Sequence, residues 1–282
     1  MRQASWQVDG ETVRGLHLPP AGPVRGAVVV THGFNSEVRE LADLPAALAR
    51  HGWHVLAFDQ RGFGASEGER GYTTAARAVD DIRGAIGQLP ANLPVALVGH
   101  SLGGAYVLEA TAEDPRVRAV VAAHPLDRLW DELNPIERLG YHVVGRITEA
   151  RRKKGKPAGT IPFKVRSKDL YGDPEAVRRA EAQPFLQRRV NLGNYRTALT
   201  FSGASAARRV TVPALVIGSP NDKVVKPGHT HRVFEALPGK ATMLEHRGGH
   251  SCFGDLDGAM LADAIAAWLE SHVLGDAGGV DR

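Results

Sequence analysis

Short apolar runs recur along this chain, with helical patterns between them. Residues 26–31 read GAVVVT, 53–58 WHVLAF, 95–98 VALV, 117–123 VRAVVAA and 214–218 ALVIG. Runs this brief, rich in β-branched side chains and apolar at nearly every position, suit strands covered on both faces. Between the second and third, Ala75, Val79, Ile82, Ile86 and Leu89 recur at helical spacing. Residues 41–50 and 102–113 read as further helices, with Pro45 either in a first turn or breaking the first of them. After the fifth run come a helix over 228–237, a short strand over 241–244 and a closing helix over 256–269. The last sets Leu256, Met260, Leu261, Ala264, Ile265, Trp268 and Leu269 on one face. Such alternation predicts an α/β fold, a mostly parallel sheet with helices on both faces. Asp9-Gly10, between two short opening segments, adds an antiparallel hairpin at the sheet edge.

Residues 125–209 break the pattern. They carry charge runs, scattered aromatics, Pro135, Pro157, Pro162, Pro174 and Pro184, and no clear strand. The stretch is too long for an unstructured connection in a compact domain, so it reads as a largely helical insertion over the sheet. The expected organisation is a core of residues 1–124 and 210–275, a lid or cap of 125–209 and a disordered tail of 276–282.

A chain of 282 residues buries enough surface to need neither disulfide nor metal for its core. The single Cys252 rules out an internal disulfide and fits a reducing compartment. With no stretch resembling a signal peptide or a membrane span, a cytoplasmic protein is expected. The net charge of +4 is mostly spread, and its one dense run, Arg151-Arg152-Lys153-Lys154-Gly155-Lys156, lacks interleaved aromatics. That run reads as a solvated loop, and no nucleic-acid partner is expected.

Gly99-His100-Ser101-Leu102-Gly103 follows the third apolar run and opens a helical pattern. A serine between glycines can be an ordinary turn, but between a strand and a helix it fits the G-x-S-x-G elbow. Glycines flank such a serine because the turn is crowded, and the helix start offers a backbone N–H and a favourable dipole. The hydroxyl is a weak nucleophile unless a base takes its proton and a carboxylate orients that base. On this fold the partners follow in the order Ser, Asp or Glu, His. Asp222 in GSPNDKVV and His250 in RGGHSCF both follow strands, at the sheet edge where α/β folds build sites. Asp127 in HPLDRL is the rival acid. The oxyanion donors are expected to be the N–H groups of Leu102 and Phe34, the latter in His32-Gly33-Phe34-Asn35 with Gly33 allowing close approach. His229 and His231, two apart on a helix, point away from each other, so no metal pair is expected. Cys252 reads as a packing residue. Asp59-Gln60-Arg61-Gly62-Phe63-Gly64 falls short of a dinucleotide loop because Glu67 occupies the last glycine's place.

With these residues placed, the chain resembles the α/β-hydrolase fold superfamily, and within it the monoacylglycerol lipase and lysophospholipase-like branch of serine hydrolases. THGF, DQRGFGASEGERGYT, GHSLGG, the Asp222 segment and GGHS fall in that family's order. The resemblance covers residues 25–125 and 210–270, and extends weakly into QPFLQRRVNLGNYRTAL. It implies Ser101 as nucleophile, Asp222 as acid, His250 as base and an acyl-enzyme, with neither metal nor cofactor. Three features depart from the family. Gly218 stands four residues before the acid rather than three, a second glycine after Gly33 is missing, and residues 130–168 match nothing the family supplies.

The expected activity is hydrolysis of a small-molecule carboxylic ester with a fairly apolar acyl group, acylglycerol- or lysophospholipid-like. The same triad would serve a thioester, lactone, peptide or amide, or a carbon–carbon bond beside a ketone. A ligand-binding protein without turnover is the third reading. Epoxide hydrolase or dehalogenase chemistry would need Asp where Ser101 stands. Leu133, Ile136, Leu139, Tyr141, Val143 and Val144, followed by the basic run, leave open a substrate cover, an oligomer contact or a lid lying on lipid. The oligomeric state is not legible in the sequence.

Overall fold

The computed structural model describes residues 1–163, 165–239 and 241–274; the tail expected to be disordered lies outside the described residues. The strands are β1 (Arg2–Val8), β2 (Glu11–Leu18), β3 (Gly26–Thr31), β4 (Trp53–Asp59), β5 (Val95–His100), β6 (Val117–Ala123), β7 (Thr160–Pro162), β8 (Arg189–Asn191), β9 (Ala214–Gly218) and β10 (Ala241–Glu245). Eight of them form one sheet in the order β1-β2-β4-β3-β5-β6-β9-β10. All neighbours from β4 to β10 run parallel, whereas β1 and β2 are antiparallel additions at one edge. The expected hairpin turn is present: Asp9 (φ 50°) and Gly10 (φ 78°) both take the left-handed conformation that a two-residue primed turn requires.

The β3 run is apolar throughout because both its faces are covered. Ala27 and Val29 join a core with α2 (Ala75–Gly87) and α3 (Leu102–Thr111). Val28 and Val30 face the opposite core, with α1 (Leu44–Arg50) and α10 (Gly258–Leu269). The chain passes from β3 to β4 on one side and returns to β5 on the other. Loops after β3 and β5 therefore diverge at one point of the C-terminal edge, where such sheets hold their ligands.

Several boundaries differ from the sequence expectation. Residues 41–43 lie outside α1, with a 3₁₀ turn at Val38–Leu41, and Pro45 occupies the helix's first turn as its missing N–H demands. In the closing helix, Leu256 and Met260 are exposed, and Leu261, Ala262, Ile265, Ala266 and Leu269 make the core face instead.

Between β6 and β9 the chain leaves the sheet. It forms α4 (Pro135–Lys153), α5 (Ser167–Leu170), α6 (Pro174–Ala182), α7 (Leu192–Thr200) and α8 (Gly203–Ala207), followed after β9 by α9 (Pro227–Ala236). Asn134 and Glu137 close a capping box at the start of α4. The short antiparallel pair β7–β8 corrects the expectation of no strand here. The basic run is likewise not a plain loop. Arg151, Arg152 and Lys153 occupy the last turn of α4, where cations suit the helix dipole, and Arg152 pairs with Glu69 and lies over the Tyr72 ring. Ile136, Leu139, Val143 and Ile147 of α4 are exposed. Among the described residues no helix is long and apolar enough to cross a membrane.

The glycine loop after β4 has a structural role. Arg61 is fully buried; its side chain donates to Asp81, to Asp9 Oδ2 at 2.8 Å and to the Val8 carbonyl at 3.1 Å. Removing one partner of a buried ion pair strands the other charge, at a cost of about 3–5 kcal/mol. Arg61→Ala is therefore expected to lower stability by that amount, read from the urea midpoint at pH 7. An unchanged midpoint would contradict it.

Candidate active site

Ser101 sits between β5 and α3 with φ 56° and ψ −123°, a left-handed conformation that a serine adopts only at a cost. Its surroundings explain the small residues around it. A Cβ on Gly99 would lie 2.3 Å from the Gly103 carbonyl oxygen, and one on Gly103 only 2.2 Å from that of His32. A Cβ on Gly33 would lie 2.9 Å from the Ser101 Cβ. The loop after β3 thus rests directly on the serine turn.

Asp222 and His250 meet at the same edge. The Asp222 carboxylate follows β9, and its Oδ1 accepts the backbone N–H groups of Val224 and Val225 at 2.8 and 2.9 Å. Its Oδ2 accepts His250 Nδ1–H at 2.7 Å. Burial opposes its charge, but His250 and His124 outweigh burial and hold the Asp222 carboxyl far below the usual carboxylate range. His100, beside Ser101, donates from Nε2 to the His250 carbonyl at 2.8 Å, and the two rings stand 4.7 Å apart. The serine turn and the histidine loop are thereby tied together. Asp255 braces that loop from outside by accepting the N–H groups of Gly249, Gly172 and Asp173 at 2.6, 2.6 and 2.8 Å.

Glu40, which the sequence reading passed over, organises the loop after β3. Its Oε2 accepts the Gly33 N–H at 2.6 Å, and Oε1 lies 3.3 Å from His100 Nδ1, close enough for charge pairing though not aligned as a hydrogen bond. Burial alone would push the Glu40 carboxyl up, but His100 and the Gly33 N–H outweigh it and bring it down to about 2. His100 is raised in turn: burial opposes its charge and Glu40 overcomes that. His32 completes the support, donating from Nδ1 to the Gly33 carbonyl at 2.9 Å and accepting the Gln60 N–H at 3.1 Å. With the Gly33 N–H occupied, the N–H of Phe34 and that of Leu102 have no acceptor among the described residues.

Two more histidines were missed. His124 directly follows β6 with φ 47°, fully buried, and donates from Nδ1 to Asp222 Oδ2 at 2.6 Å. His246 follows β10, and its Nε2 lies 2.7 Å from His124 Nε2. The available signal was position, since each directly follows a strand at the sheet edge that carries Ser101. Asp127, the rival acid, is engaged elsewhere. It accepts from Ser202 Oγ at 2.9 Å and Arg232 Nε at 3.0 Å, anchoring α8 and α9. His229 is held by Glu132 at 2.8 Å, and Cys252 is buried in the core beside α10.

The donor atoms of His124, Asp222 and His250 lie within 4.8 Å of one another, as do those of His124, His246 and Cys252. Neither group fits a metal ion as it stands. In the first, both histidine Nδ1 atoms donate to Asp222 Oδ2, and in the second the two Nε2 atoms, 2.7 Å apart, are hydrogen-bond partners.

The Phe34 ring packs against Phe163 and Tyr195, at 5.5 and 6.3 Å between centroids. Tyr195 also lines a cavity of about 330 Å³ with Trp130, Tyr141, His142, Leu192 and Leu199. Ser101 is not in the wall of this cavity; Tyr195, which is, packs against the Phe34 ring.

Residues 22–257 match the family described as serine aminopeptidase, S33. A monoacylglycerol lipase from Paleococcus ferrophilus is 27% identical, with a TM-score of 0.77 over 92% of this chain and 99% of that one. An uncharacterized 31.7 kDa protein from the traX-finO intergenic region of Escherichia coli is 25% identical over 277 residues, 92% of this chain and 95% of its own. A polyketide transferase from Stachybotrys chlorohalonatus is 27% identical over 273 residues, 89% of this chain and 90% of its own.

Proposed function

Since the chain belongs to the serine aminopeptidase S33 family of α/β hydrolases, we propose that it is a serine hydrolase cleaving a carboxylic ester with an apolar acyl group through an acyl-enzyme. One observation carries this reading: a serine held at φ 56° on a strand-to-helix turn, tied through His100 to a histidine whose Nδ1 rests on a buried carboxylate 2.7 Å away. Ser101 Oγ attacks the ester carbonyl while His250 Nε2 takes its proton. Asp222 keeps His250 in the Nδ1–H tautomer and stabilises the imidazolium. The oxyanion is received by the Phe34 and Leu102 N–H groups, and losing one such donor costs about 3–4 kcal/mol of transition-state stabilisation. His250 then protonates the leaving alcohol, and water repeats the sequence to release the acid.

Residues 125–209 serve as the cover over this site. Gln187 and Asn35 exchange hydrogen bonds at 2.9 and 3.0 Å, which joins the cover to the oxyanion loop. The cavity reached from Phe34 through Tyr195 sets Trp130, Tyr141 and Leu192 beside Arg128, Arg146, Glu149 and Arg196, and its aromatic wall suits an apolar group of the substrate, in keeping with the monoacylglycerol lipase relative. A second reading, an acyl thioester as substrate, is favoured by a relative from Aspergillus aculeatus named a thiohydrolase, 37% identical over 129 residues, 42% of this chain. A fluorophosphonate probe is expected to add one label per chain, mapped to Ser101 by mass spectrometry. Paired rates on an ester and a thioester of one acyl group separate the readings, with the ester expected to be faster. Failure to label Ser101 would remove both.

A further inference from the structure

Asp222 Oδ2 serves two imidazoles, and catalysis by a triad needs only one. Hydrogen bonding fixes the protons of the second in a single order. The Gly248 N–H donates to His246 Nδ1 at 3.1 Å, which places the His246 proton on Nε2. That proton is donated to His124 Nε2 at 2.7 Å, leaving the His124 proton on Nδ1, aimed at Asp222 Oδ2 at 2.6 Å. The order closes without a clash and leaves both rings neutral. Burial, above all, holds the His124 imidazole down at about 3, and burial also lowers His246.

We propose that His124 is a positioning residue, ordered by His246, that locks the Asp222 carboxylate and weakens its hold on the His250 proton by sharing the same oxygen. The inference rests on the triad proposed above. A carboxylate oxygen that accepts two N–H donors offers each less charge than it would offer one. His250 therefore draws less of the Asp222 charge than a singly paired imidazole would, and losing the second donor is expected to strengthen that pull. Among the described residues, the other charged or titratable groups around this assembly are His100 with Glu40 behind it, Asp255 and Asp257 near His246, the Cys252 thiol, and Asp169, Tyr171, Lys223 and Arg247, which line a cavity with Asp222. None of them donates to Asp222 Oδ2, so the second donor on that oxygen is His124 among the described residues.

The test is the pH dependence of kcat/KM for an ester in wild type and three variants. The amide nitrogen of Asn reaches where the imidazole Nδ1 stands, so His124→Asn restores the donor, whereas His124→Gln and His124→Phe do not. The acid limb is expected to move up by about 0.5–1 pH unit in the Gln and Phe variants and to return to within about 0.3 unit of wild type in Asn. Should the Phe variant not fold, Asn against Gln carries the comparison. Proton NMR gives a readout independent of turnover: the low-field N–H signal of His124 Nδ1 is expected in wild type and lost in His124→Gln, while that of His250 Nδ1 persists. Coincident acid limbs in folded wild type and Gln variant, with Ser101 still labelled by the probe, would overturn the inference and leave the proposed function intact. Absence of Ser101 labelling in wild type would instead overturn the reading beneath it.

Discussion

Ser101→Ala is expected to lower ester turnover by about 10⁴- to 10⁶-fold, because it removes the proposed attacking atom and leaves only binding and the proposed oxyanion donors. The fold should survive. Alanine keeps the Cβ that packs beside Gly33, and at φ 56° it is strained no more than serine. The elbow's hydrogen bonds are backbone ones, with the Ser101 N–H donating to the Ala123 carbonyl at 2.8 Å. Initial rates on a p-nitrophenyl ester, beside a thermal melt, check both halves of the expectation. A folded variant with wild-type turnover would show that another group attacks.

How much of this was legible in the chain follows from how local each signal is. The parallel sheet was readable because each buried strand carries its own apolar run, and GAVVVT needs no knowledge of its neighbours to demand cover on both faces. The serine turn was readable for the same reason, since Gly99 and Gly103 answer crowding within the pentapeptide and its adjoining loop. Asp222 and His250 were placed by chain order and by the strands before them, and the structure brings them within hydrogen-bond reach. His124 and His246 had no local signature. Their partners lie 98 and 122 positions away, and a histidine after an apolar run has no period to betray it. Glu40 escaped for a related reason: it lies in a 3₁₀ turn and takes its meaning from Gly33 and His100. The short β7–β8 pair escaped because its first strand is three exposed residues, two of them Ile161 and Pro162, with no alternation to read.

Asp222→Asn should be more damaging here than in a triad whose carboxylate holds one histidine. All four donors on Asp222 point inward: two backbone N–H groups on Oδ1 and two imidazole N–H groups on Oδ2. An asparagine has a single oxygen, so one pair must face its NH₂ group. If the NH₂ faces the histidines, His250 has to accept at Nδ1 and carry its proton on Nε2, toward the nucleophile. It can then no longer take the serine's proton, and turnover falls by about 10⁴. His124 would have to invert as well, against the order imposed through His246 by the Gly248 N–H. If the NH₂ instead faces Val224 and Val225, both N–H groups lose their acceptor, the buried one of Val225 is stranded at about 1–3 kcal/mol, and the loop that aims the side chain opens. Either orientation therefore loses activity, and neither satisfies the loop and both rings together. The expected result is a fall in kcat of about 10⁴ together with a lower urea midpoint than Ser101→Ala shows. A folded Asp222→Asn within tenfold of wild-type kcat would mean that His250 takes its orientation from something other than this carboxylate.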